Sequence, residues 1–69
     1  MQIKVLRLGH SARHVDIAAG ATVGEVLARE DLPTQGYAIS VNGLGASQTT
    51  VLSPDDVVTL VPKVEGGTR

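Results

Sequence analysis

The 69-residue chain has no cysteine, no tryptophan and no phenylalanine, and Tyr37 is its only aromatic residue. Without cysteine there is no disulfide, no thiolate nucleophile and no thiolate metal site. Without aromatics the core must be aliphatic: Val, Leu, Ile and Ala supply nearly all of the 42% hydrophobic content. No run of about 18 apolar residues occurs, so no helix is expected to span a membrane. Neither sign of charge dominates. Six basic and seven acidic side chains leave a net charge of −1, which gives no electrostatic footprint for nucleic acid. The first residues alternate like a strand and show no charged stretch followed by an apolar segment, so no secretion signal is visible and a cytoplasmic location is expected. The length allows one small domain, with little room for a deep pocket.

What is present is strand periodicity. Met1-Gln2-Ile3-Lys4-Val5 alternates apolar and polar residues, with Met1, Ile3 and Val5 inward and Gln2 and Lys4 outward. Gly9-His10-Ser11 is turn chemistry, and residues 13–17 read as a second strand with Val15 and Ile17 on one face, completing a hairpin. Thr22 followed by Glu25 forms a capping box at the start of a short helix, whose apolar stripe is Val23, Val26 and Leu27. Gly24 weakens that helix by roughly 0.5–1 kcal/mol relative to alanine. Asp31-Leu32-Pro33 ends it, because the residue before proline is pushed out of the helical region.

Residues 37–41 alternate again and stop at Asn42-Gly43, a strong hairpin-turn signal. Residues 44–50 read as a loop of small and polar residues with one short strand. Ser53-Pro54-Asp55-Asp56 is a second turn, and residues 57–61 are the last strand, dense in β-branched side chains. Pro62 interrupts pairing, so the chain is expected to leave the sheet there or to run along an edge. Hairpin, helix, then further strands describe an α+β domain: one helix across one face of a mixed four- or five-stranded sheet. The domain spans residues 1–62, and residues 63–69 form a tail.

Catalytic constellations find little support. Asp55-Asp56 reads as a turn rather than a carboxylate pair. His10 and His14 are four apart, a metal-binding spacing only on a helix, and they flank a hairpin turn instead. Gly43-Leu44-Gly45 is too short for a phosphate loop and does not join a strand to a helix. None of Ser11, Ser40, Ser47 or Ser53 stands in a nucleophile-elbow context. The chain is therefore not expected to be an enzyme, to hold a metal or to bind a cofactor. The tail differs: paired glycines let a backbone enter a slot too narrow for any Cβ, and Gly66-Gly67 offers such a pair.

These pieces resemble a known family. Met1-Gln2-Ile3-x-Val5 looks like the opening of ubiquitin. The stretch from Leu52 through the Asp55-Asp56 turn, the strand at residues 57–61, Pro62 and the terminal Gly66-Gly67 looks like the end of the small sulfur carriers ThiS and MoaD. Residues 21–27 and 39–43 resemble their helix start and a strand-and-turn segment. The resemblance implies a β-grasp, ubiquitin-like fold and a chemistry carried by Gly67. In the family, an adenylating enzyme of the ThiF/MoeB type uses ATP to activate the terminal carboxylate. A sulfur donor then makes a thiocarboxylate for a sulfur-accepting enzyme. In the ubiquitin-like branches a conjugating enzyme instead delivers the glycine to lysines of target proteins. A third alternative is a non-covalent β-grasp binding module with an inert tail.

Two departures bear on this. Asp55 stands where the family has glycine, a place aspartate tolerates better than most residues. Thr68 and Arg69 follow Gly67, so the resemblance implies a precursor cut between Gly67 and Thr68, with a trimming metallopeptidase as a further partner. Strand parity then sends Leu6, Val57 and Val61 to the open face of the sheet. With Lys63, Val64 and Glu65 of the tail they form the expected docking patch for the activating enzyme.

Overall fold

The computed structural model describes residues 1–32 and 35–63. Its first hairpin pairs β1 (Gln2–Arg7) with β2 (Arg13–Asp16) antiparallel, with Ile3 opposite Val15 and Val5 opposite Arg13. The helix α1 (Val23–Arg29) follows, then β3 (Tyr37–Val41), a two-residue β4 (Leu44–Gly45) and β5 (Val57–Pro62). The five strands lie in the order β2-β1-β5-β3-β4. The last strand is therefore central: it runs parallel to β1 and antiparallel to β3.

Alternation sorts the side chains as the sequence predicts. Ile3 and Val5 are 1% and 2% exposed, whereas Gln2 is exposed and Lys4 half-buried. Val23, Val26 and Leu27 from α1 are fully buried in one cluster with Ile3, Val5, Val15, Val58 and Leu60. The helix thus covers one face, and the other is left to solvent.

The capping box is formed at Thr22: its Oγ1 accepts from the Glu25 N–H at 3.3 Å, and its own N–H donates to Glu25 Oε1 at 3.2 Å. The other free donors of the first turn find partners outside the helix. Val23 N–H donates to the Thr50 carbonyl at 3.0 Å and Gly24 N–H to that of Gln48 at 2.9 Å. Thr22 and Val51 are joined by an isolated β-bridge.

The expectation that Pro33 ends the helix needs correction. The helix already ends at Arg29, with Glu30 as its C-cap. Asp31 turns left-handed at φ 54°, its N–H donates to the Ala28 carbonyl at 3.2 Å and the Leu32 N–H to that of Leu27 at 2.9 Å. This is the double-bonded C-terminal cap usually built on glycine. At Pro62 the strand runs on along an edge, one of the two expected outcomes: Pro62 sits opposite Tyr37, and the next N–H, of Lys63, donates to the Gly36 carbonyl at 2.8 Å. Bonded and non-bonded pairs alternate along an antiparallel ladder, so Pro62 occupies a non-bonded position and removes no bond to β3. On its other flank the parallel ladder ends with Leu8 N–H to the Leu60 carbonyl at 3.1 Å; the next bond in that register needs an N–H at residue 62, so the proline stops the pairing with β1 there.

Candidate functional site

The end of the chain is presented by the turn and strand that precede it. At the turn, Asp55 adopts φ 67°, the left-handed conformation its position demands, and its N–H donates to the Gln2 carbonyl at 2.8 Å. Asp56 is fully engaged: Oδ2 accepts from the Ser53 N–H at 2.8 Å and Oδ1 from Asn42 Nδ2 at 2.9 Å. Asn42 completes the link, since its Oδ1 accepts from the Val57 N–H at 2.9 Å and its own N–H donates to the Val57 carbonyl at 2.8 Å. The aspartate pair is a fastening for the start of β5, which agrees with its reading as a turn.

From there β5 runs between two partners, so the segment is held on both sides until Leu60 and on one side to Lys63. Its open face carries the residues assigned by parity. Val57 lies beside Lys4, Thr59 beside Leu6 and Ser40, and Val61 beside Ala38. Val61 is 39% exposed, Leu6 and Val57 are half-buried, and Lys63 is exposed. Leu8 was not among the sequence-predicted residues, yet it is 65% exposed and bonded alongside Leu60 at the same end of the sheet. The signal was available, because Leu8 continues the parity of Leu6 up to the turn at Gly9-His10-Ser11. Val64, Glu65, Gly66, Gly67, Thr68 and Arg69, which include the glycine expected to react and the expected cleavage bond, lie outside the described residues.

No other constellation competes. Among the described residues no group of three His, Cys, Asp or Glu side chains is placed to hold a metal ion. His10 and His14 are both exposed, the first in the turn and the second on β2 rather than in a loop. An open groove of about 730 Å³ runs past Tyr37, Ile39, Ala46, Gln48 and Lys63, with no carboxylate or histidine among the described residues of its lining. No helix among the described residues is long and apolar enough to cross a membrane.

Comparison with known proteins places this geometry. The sequence matches the ThiS family over residues 5–67, and the chain belongs to that family of ubiquitin-like sulfur carriers and modifiers. No curated protein matches it by sequence. Among solved structures, SAMP1 from Haloferax volcanii is 19% identical, with 97% of this chain and 100% of that one aligned at a TM-score of 0.78. The ubiquitin of Caldiarchaeum subterraneum is 26% identical over 97% of this chain and 98% of its own, at 0.67. Urm1 from Trypanosoma brucei is 15% identical over 96% and 95%, at 0.66. The fold is therefore the β-grasp of ubiquitin-like proteins, and the family implies activating enzymes and targets as the general kind of partner.

Proposed function

We propose that the chain is a carrier whose working group is the carboxylate of Gly67. Residues 1–62 hold the segment 63–69 out for the active site of a partner, and the chain itself performs no catalysis. Hydrolysis of the Gly67–Thr68 peptide bond by a trimming peptidase frees the carboxylate. An activating enzyme of the ThiF/MoeB type joins that carboxylate to AMP from ATP and releases pyrophosphate. Sulfide equivalents from a sulfur donor then displace AMP and leave a thiocarboxylate, the form that passes sulfur to an accepting enzyme. Gly66 gives the backbone access to a narrow slot, since neither glycine carries a Cβ. Val64 and Glu65 extend the reach beyond Lys63, and Leu6, Val57 and Val61 meet the activating enzyme. ATP binds that enzyme and not this chain, and the chemistry belongs to the cytoplasm.

The observation that carries this reading is the extent of the family match, which stops at residue 67 and leaves Thr68 and Arg69 outside. The second reading, conjugation of Gly67 to lysines of target proteins, is favoured by the likeness to the Caldiarchaeum ubiquitin at 26% identity. One experiment separates them. Chains ending at Gly67 and at Arg69 are incubated with the activating enzyme of the same genome, ATP and sulfide, and intact masses are read. The carrier reading expects a sulfur-for-oxygen exchange on the shorter chain alone. Lysine adducts in a lysate, without that exchange, establish the modifier. No reaction of either chain overturns both and leaves a binding module.

A further inference from the structure

The hairpin end of the sheet holds a second feature, on the face opposite the docking patch. Arg7 continues the parity of Ile3 and Val5, so it belongs to the helix-covered side, and Arg13 stands there opposite Val5. The helix ends short of this corner. Between β1, the turn and Leu32 lies a cavity of about 70 Å³, lined by Val5, Arg7, His10, Ser11, Arg13 and Leu32. No carboxylate lines it among the described residues.

Its charges do not cancel. Arg13 is neutralised by Glu30, with Nη1 and Oε1 3.0 Å apart. Arg7 has no carboxylate partner among the described residues. Its Nη2, a donor in any state of the guanidinium, lies 2.7 Å from His10 Nε2. Its Nε is the only buried side-chain nitrogen or oxygen among the described residues without a hydrogen-bond partner. An orphaned buried donor is a standing penalty that any entering acceptor removes.

We propose that this cleft is a monoanion site, which takes the carboxylate of an aspartate or glutamate side chain presented by a partner protein. The guanidinium offers a planar fork of N–H groups that matches the two oxygens of a carboxylate. One uncompensated positive charge suits a carboxylate and leaves a phosphate dianion half-balanced. A single ion pair this close to water holds a free anion weakly. A tethered carboxylate gains from contacts made elsewhere by the same partner, and Leu32 in the lining of the cleft supplies an apolar one. The proposal does not depend on the fate of Gly67.

The test is a titration of the ¹⁵N-labelled full chain, followed at the Arg7 Nε–H signal. The probes are acetyl-Leu-Glu-Leu-amide, the same peptide with glutamine for glutamate, sodium acetate and inorganic phosphate. The glutamate peptide is expected to shift the signal saturably and the glutamine peptide to leave it in place. Acetate should move the same signal with about tenfold lower affinity. Arg7→Lys keeps the charge and loses the fork, so its affinity for the glutamate peptide should fall about tenfold, read from backbone signals of Ser11 and Arg13. Saturation by phosphate below the peptide's concentration overturns the proposal. So does equal binding by Arg7→Lys, which marks diffuse attraction, or an Arg7 signal that no carboxylate moves. If Arg7→Lys does not fold, the glutamate-against-glutamine comparison on the wild-type chain decides alone.

Discussion

Three non-glycine residues among those described stand in left-handed backbone: Asp31, Asn42 and Asp55, at φ 54°, 54° and 67°. Each ends one element or starts the next, and each has the short polar side chain that tolerates this region. Two were legible in the sequence, because Asn42 precedes a glycine after an alternating run and Asp55 falls in a turn rich in Pro and Asp. Asp31 was not, because Pro33 supplied a sufficient local reason for the helix to stop, while the backbone uses a cap two residues earlier. Asp55 is the clearest place to test the backbone effect, since it is exposed and its carboxylate makes no hydrogen bond among the described residues. Asp55→Ala should lower stability by about 1 kcal/mol, the cost of placing an ordinary side chain there. Asp55→Gly should change it by less than about 0.5 kcal/mol, relief of strain being offset by a freer unfolded chain. Urea midpoints of the three proteins are the measurement, and an alanine variant as stable as the parent contradicts the account.

Helix α1 shows what local reading captures in an element and what it misses. The capping box and the buried stripe depend on residues within seven positions of one another, so both were visible as spacing. Gly24 looked only like a weakness. In the fold, its N–H donates to the Gln48 carbonyl, and a Cβ built there would stand 3.2 Å from that same oxygen and 3.3 Å from Gln48 Cβ. The contact comes from a loop some twenty residues along the chain, which no helical periodicity reports. The same holds for Pro62, whose register against β3 is fixed by a partner strand. The two effects at Gly24 oppose each other. Alanine improves helix propensity by roughly 0.5–1 kcal/mol, but it must displace backbone that is tied to the helix by two hydrogen bonds, at Val23 and Gly24. Since the obstructing atom is a carbonyl oxygen and not a flexible side-chain end, the clash should win. Gly24→Ala is expected to be destabilising by about 0.5–1 kcal/mol, and a gain in thermal midpoint refutes the close approach.

At the scale of the molecule, the last strand in sequence is the middle strand in space. Periodicity located each strand, but it carried no information on the parallel pairing of β1 with β5, which joins the two ends of the chain. The resemblance to ubiquitin-like proteins implied the β-grasp fold without a strand order, and the residues after Lys63 were legible only as a motif. The central position gives β5 two faces with opposite duties, and neighbouring residues test them. Leu60 is fully buried and Val61 is 39% exposed. Leu60→Ala removes core packing, worth about 2–5 kcal/mol, a large share of the stability of so small a domain. It should abolish the folded circular-dichroism signal or shift its midpoint far down. Val61→Asp puts a charge on the open face, where water solvates it, so stability should change by less than about 1 kcal/mol. Against an activating enzyme and ATP, however, that charge must be desolvated at the docking face, and pyrophosphate exchange should drop about tenfold or more in kcat/KM. The pattern expected is a folded, poorly activated Val61 variant beside a poorly folded Leu60 variant. Exchange at the parental rate by Val61→Asp moves the docking surface off this face, toward the edges of the sheet. Unfolding of that variant makes Val61 part of the core, and the opposite assignment of the two neighbours then fails with it.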